Sequence, residues 1–200
     1  MKLSNSEFNW MNSGFRRYLQ SRVEYPTFKK MGLSELNRDI LEIGCGSGYG
    51  AFLLSELSPK SYDGIDLMPE QINLAKNRKL DNFNFHVMDA TNLTYFKDKS
   101  KDYIVIYGIL HHINEWRNVI DDCLRILRPG GRLFVTEPNF QEHQKSLDKW
   151  NKIMKWDHPY SFSLKELEEH ILKRGFELTN KKYTMFKIFG YYCALKLNFI

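Results

Sequence analysis

The spacing of apolar and polar positions changes character at about residue 38. Before it, Phe8, Met11, Phe15, Tyr18 or Leu19, and Val23 recur at helical spacing, with Arg16, Arg17 and Gln20 on the other side. This predicts a helical segment over residues 4–31 that docks its aromatic side onto the protein, with Pro26 breaking it before a short second turn. After residue 38, short runs of β-branched and apolar residues alternate with helical patterns. Strands are predicted at 40–43, 61–66, 83–88, 103–107 and 132–137, with helices at 48–56, 69–79 and 115–127 between them. Pro69 suits a first helical position. The run 103–107 is almost wholly apolar, as a strand covered on both faces would be. A capping box, Ser163 with Glu166, opens a helix over 163–174. Two last strands, 176–183 and 191–197, lie close enough in sequence to pair as an antiparallel hairpin. Together these predict an α/β fold: a Rossmann-like, seven-stranded, mostly parallel sheet with a C-terminal antiparallel hairpin and helices on both faces.

Two hundred residues without repeats or linkers predict a single domain spanning 1–200. Within it, residues 1–35 would form an N-terminal helical cap and 138–160 an insertion over the acceptor side. The net charge of +5 comes from basic residues scattered along the chain, with no dense arm for nucleic acid. No run approaches the roughly 18 apolar residues of a membrane span. The N-terminus lacks the apolar core of a secretory signal, so a cytoplasmic protein is expected. Cys45, Cys123 and Cys193 lack metal-ligand or disulfide spacing and read as reduced thiols, and no metal site is expected.

Candidate chemistry collects where strands end, because open α/β sheets bind ligands at the carboxyl ends of their strands. The first strand runs through Glu42 into Gly44-Cys45-Gly46-Ser47-Gly48, a turn whose glycines permit positive φ and close ligand approach. The spacing is not the dinucleotide G-x-G-x-x-G, since Tyr49 and Ala51 stand where its last glycine would fall. The second strand ends in Asp66, placed to accept hydrogen bonds from a ribose diol. The third ends in Asp89-Ala90, where the carboxylate could accept from an exocyclic amine. The fourth ends in Tyr107-Gly108 and then Leu110-His111-His112, lining the floor of the same nucleoside-sized pocket.

This set resembles the class I S-adenosylmethionine-dependent methyltransferases, in particular the small-molecule branch typified by ubiquinone and menaquinone biosynthesis. Residues 41–48, 64–67, 89–90, 110–112 and 127–131 carry the resemblance, which is strong over 38–137. It implies S-adenosyl-L-methionine as cofactor and S-adenosyl-L-homocysteine as product. By that resemblance Glu42, Gly44, Cys45, Gly46 and Gly48 would hold the methionine portion. Asp66 would bind the ribose, Leu67 and Met68 the adenine ring, Asp89 and Ala90 the adenine amine, and Tyr107 and Gly108 the region of the sulfonium. In-line displacement of an activated methyl needs alignment more than acid–base chemistry. Should the acceptor carry a proton, His158 and His112 are the candidate bases, with Glu137 third. The acceptor is expected to be a small molecule. An RNA or tRNA methyltransferase and a non-catalytic cofactor-binding subunit are the alternatives, and the oligomeric state is left open.

Overall fold

The computed structural model describes residues 4–139, 162–184 and 187–197. Its centre is a seven-stranded sheet of order β3-β2-β1-β4-β5-β7-β6. The strands are β1 (Asp39–Ile43), β2 (Ser61–Asp66), β3 (Phe83–Val87), β4 (Lys101–Tyr107), β5 (Leu127–Pro138), β6 (Phe176–Tyr183) and β7 (Phe189–Lys196). The first five pair in parallel, while β7 runs antiparallel to both β5 and β6. The predicted fold class therefore holds, down to the terminal hairpin.

Period-two alternation divides the core between the two faces. Leu41, Ile43, Ile104, Ile106, Leu133 and Val135 pack under α6 (Trp116–Ile126) and α7 (Leu164–Lys173). Ile40, Tyr62, Tyr103, Val105, Tyr107 and Phe134 face α3 (Tyr25–Lys30), α4 (Tyr49–Leu54) and α5 (Pro69–Lys76). Ser163 and Glu166 close the expected capping box on α7. The chain order reverses between β1 and β4, so the switch-point crevice opens beyond their carboxyl ends.

Three local expectations change. β5 begins at Leu127 rather than near residue 132. Leu127 pairs with Lys101 and Arg132 with Tyr103, so residues 128–131 bulge out opposite Asp102. Gly130, at φ +79°, permits the bulge, and Arg128 ties it down through Asp39 and Asp102. Pro26 does not break the N-terminal segment. Helices α1 (Asn5–Met11) and α2 (Gly14–Leu19) lead into a π-helical turn (Gln20–Glu24) that runs straight into α3, where Pro26 sits in the first turn and needs no hydrogen-bond partner.

The third change concerns which side of that segment turns inward. Phe15 and Tyr18 are 56% and 58% exposed, whereas Glu7, Gln20 and Glu24 are buried. Arg16, Gln20, Glu24 and Phe28 recur every four residues and form the inner stripe. Arg16 Nη1 donates to Glu24 Oε2 at 2.9 Å, which makes burial of the stripe tolerable. The aromatic side was expected inside. The polar side is inside because what it covers is a polar crevice.

Candidate functional site

The crevice is a cleft lined by the ends of β1 to β4 and by the N-terminal helices. β1 delivers Glu42, which is 1% exposed, and Tyr62 donates a 2.6 Å hydrogen bond to its Oε2. Burial pushes the Glu42 pKa up to about 8, against the Tyr62 hydrogen bond and the charge of Arg16, which pull it down. The glycine turn follows. The Gly44 and Cys45 N–H groups both donate to the Ile65 carbonyl at 2.9 Å, fixing the turn to β2. Gly44, at φ +75°, lies against Ile109, whose Cγ2 would be 2.5 Å from a Cβ at that position. Gly46, at φ +51°, has nothing within 4 Å of where its Cβ would stand, so its missing side chain leaves open space on the cleft.

Asp66 closes the turn from β2. Its Oδ2 accepts from the Gly46 N–H at 3.0 Å and its Oδ1 from the Met68 N–H at 2.9 Å. Burial raises its pKa against those two bonds. Asp89 is exposed at the rim, where its Oδ1 accepts from the Thr91 N–H and hydroxyl, each at 2.8 Å. It both caps the next turn and lines the cleft. The hydroxyl of Tyr107 and Oε1 of Gln71 are buried at this cleft without a hydrogen-bond partner.

Of the residues expected to hold cofactor, the cleft brings together Glu42, Gly44, Cys45, Gly46, Asp66, Leu67, Met68, Asp89, Ala90, Tyr107 and Gly108. Gly48 is not among the lining residues. At φ +73° it caps the start of α4, where an added Cβ would stand 2.9 Å from that of Ala75. Cys45 is buried, and burial drives its thiol pKa well up, which leaves it no nucleophilic thiolate. His112 lines the cleft, while His158 lies outside the described residues. Glu137 is fully buried and absent from the lining, so it does not reach a substrate as a base. Its Oε1 accepts from the Leu110 N–H at 2.8 Å and its Oε2 lies 2.8 Å from His111 Nδ1. Glu137 thereby braces the turn that carries Ile109, His112 and Ile113 into the cleft wall.

Sequence reasoning missed Gln20 and Gln71 as lining residues, and Met11 as an apolar one. The four-residue recurrence from Arg16 to Phe28 was a usable signal, since a solvent face needs no such register. Among the described residues, no group of three or more His, Cys, Asp or Glu could hold a metal ion, and no helix is long and apolar enough to cross a membrane.

A family model described as a methyltransferase domain matches residues 15–181. The phthiotriol/phenolphthiotriol dimycocerosates methyltransferase of Mycobacterium leprae is 31% identical over 151 residues, covering 72% of this chain and 52% of that protein. The 27-O-demethylrifamycin SV methyltransferase of Amycolatopsis mediterranei is 29% identical over 147 residues, covering 69% of this chain and 53% of that protein. The chain thus spans about half the length, or less, of the curated relatives it matches. Among solved structures, an S-adenosylmethionine-dependent methyltransferase of Methanosarcina mazei is similar, with 27% identity and a TM-score of 0.68. That likeness covers 86% of this chain and 98% of the other. With strand-end acids and a glycine turn gathered in one cleft, and a match that runs over most of the sequence, the protein belongs to the methyltransferase-domain family.

Proposed function

We propose that this protein transfers the methyl group of S-adenosylmethionine to a small, mainly apolar acceptor. One observation carries the reading. Three carboxylates from successive strand ends, Glu42, Asp66 and Asp89, converge on a cleft that Met11, Ile109 and Ile113 also line. The residues fit such a cofactor: Gly46 leaves a space that a side chain would fill, and Tyr107 and Gln71 hold buried polar atoms awaiting a partner.

When bound, the cofactor supplies a methyl group already activated on a positively charged sulfur. The chain's own work is then to bind, align and exclude water. Glu42 takes the amino group of the amino-acid tail. Asp66 uses the lone pairs left over from its two backbone bonds for the ribose hydroxyls. Leu67 and Met68 would hold the adenine, Asp89 and Ala90 its amine, and Tyr107 and Gly108 the region of the sulfur. Beyond them Met11, Ile109 and Ile113 make an apolar wall for the acceptor, and His112 in that wall accepts its proton where it carries one. The relatives named for a dimycocerosate lipid and for a rifamycin support an apolar small-molecule acceptor.

The test is a calorimetric titration with S-adenosylhomocysteine, with NAD as control, followed by methyl transfer to a panel of apolar hydroxy compounds and to RNA. Micromolar binding of S-adenosylhomocysteine alone, with turnover on the panel, supports the proposal. Turnover on RNA favours the nucleic-acid alternative, and binding without any turnover favours the non-catalytic subunit. Binding of NAD, or of neither ligand, overturns the reading.

A further inference from the structure

The outer side of the N-terminal helices is a surface that the cleft does not explain. Phe15 and Tyr18 stand more than half exposed on α2, and Arg22 follows them at helical spacing on the same side. Arg17 and Val23 are exposed beside them. Trp10 of α1 packs on Phe15, their ring centroids 5.6 Å apart. On the other flank the Arg17 guanidinium lies 6.0 Å from the centre of the Tyr49 ring on α4. Tyr49 in turn stacks at 5.9 Å on Phe52, which is half exposed. Exposed rings and arginines therefore run from α1 across α2 to α4.

Charge in this segment is one-sided. Residues 8–34 hold five basic side chains and a single acid, Glu24. Glu24 is buried and bonded to Arg16, and Lys29 pairs with Glu56. Arg17, Arg22 and Lys30 are left exposed, with no ion pair to any described carboxylate. We propose that this face seats on an anionic lipid surface. Aromatic rings interleaved with arginines suit a headgroup layer, where each ring buries its apolar body while the cations meet phosphates. A second copy of the chain fits poorly, because pairing this face with itself would oppose like charges. Nucleic acid is tracked by a charged groove, whereas these side chains stand on the outside of a helix. The inner side of the same helix sends Arg16 and Gln20 into the cleft lining. Docking through Phe15 and Tyr18 would therefore set the cleft beside the lipid, where apolar compounds concentrate. Lipid binding and S-adenosylhomocysteine binding are separate measurements, so either can fail without the other.

The test is flotation of the full chain with two kinds of vesicle, phosphatidylcholine alone and equal parts phosphatidylcholine and phosphatidylglycerol. Binding is expected to the second kind only, and it should weaken as salt rises. Each cation near such a surface is worth about fivefold in binding, so Arg17→Gln/Arg22→Gln should weaken it roughly 25-fold. Phe15→Ser/Tyr18→Ser should weaken it about tenfold or more. The charge-matched control Lys165→Gln/Lys173→Gln lies on α7, against the opposite face of the sheet from α4, and should bind as wild type does. These side chains are exposed, so every variant should melt close to wild type and a loss of flotation reads as lost docking. No binding to the anionic vesicles, equal binding to both kinds, or variants of this face that float like wild type would overturn the proposal. Self-association or RNA binding in place of vesicle binding, lost in the same variants, would overturn it too and give the face to that partner.

Discussion

Gly50→Ala is a substitution whose sign is set by a single contact. Gly50 is the second residue of α4, and an alanine inside a helix ordinarily adds about 1 kcal/mol over glycine. Here the added Cβ would stand 2.1 Å from Glu42 Oε1 and 2.7 Å from its Cδ. Glu42 cannot simply swing aside, being 1% exposed and held by the Tyr62 hydroxyl at 2.6 Å. Overpacking of this kind costs roughly 1–3 kcal/mol. Parting the carboxylate from Tyr62 leaves a buried hydroxyl unsatisfied, worth roughly another 1–3 kcal/mol. Against the helix gain, the net is a destabilisation of about 1–5 kcal/mol. At about 2–4 °C per kcal/mol for a domain of this size, the melting temperature should drop by at least a few degrees. Because the displaced group is the proposed amine receptor, affinity for S-adenosylhomocysteine should fall about tenfold or more. Thermal melts and calorimetry read the two effects separately. In a Glu42→Ala background the obstacle is gone, and Gly50→Ala should recover its helix gain of about 1 kcal/mol. Should Gly50→Ala in the wild-type background raise the melting temperature with ligand affinity intact, the tight packing of Glu42 on α4 is refuted.

Asp66→Asn should weaken S-adenosylhomocysteine and 5′-methylthioadenosine together, by about tenfold, because it loosens the turn at Gly46 and the ribose site alike. Calorimetry on both ligands checks this, and a loss confined to S-adenosylhomocysteine would refute it. The pH dependence of stability has a definite sign. Glu42 and Glu137 are both raised from 4.5 to about 8 by burial, so between those values the folded state holds protons that the unfolded state has lost. Their contribution is fully present below pH about 4.5 and is lost as pH rises toward 8, so the urea midpoint should fall across that window. Glu42→Gln should flatten the fall, and a midpoint that does not change with pH would refute the assignment of those shifts.

Most of the sheet was legible in the sequence because strands buried on two faces leave little freedom. Tyr103 to Tyr107 could hardly be anything but a covered strand, and its alternate residues divide between the two cores as period two requires. The strand-end acids were legible for a related reason: a carboxylate that ends an apolar run has nowhere to point except into the crevice. The N-terminal segment misled because amphipathicity counts apolar positions and takes the polar side to be wet. Phe15 and Tyr18 kept helical spacing, yet they face solvent, since the surface beneath α2 is a polar cleft and not a core. What the glycine ladder did not reveal is the packing at Gly48, whose positive φ and close approach to Ala75 serve the start of α4.

Among the described residues the cleft is rich in ionisable groups, yet His112 is the one candidate base in its lining. Several charged groups at the cleft have a second partner that fixes them from behind. Tyr62 holds Glu42, Gly46 and Met68 hold Asp66, Thr91 holds Asp89, and Glu24 holds Arg16. Glu137 does the same for the turn that carries Ile109 and His112, although it touches no cleft itself. Such backing does little for proton transfer, which asks for a group free to exchange its proton with the substrate. It would do much for the proposed methyl transfer, a reaction limited by alignment, because side chains that cannot reorient would keep a bound cofactor in one pose. The Tyr107 hydroxyl and Gln71 Oε1, buried without partners in the same cleft, show where rigidity leaves bonds for a ligand to complete. Occupancy should therefore stabilise the fold through contacts the unliganded protein already holds in place, rather than by inducing a new arrangement of the cleft.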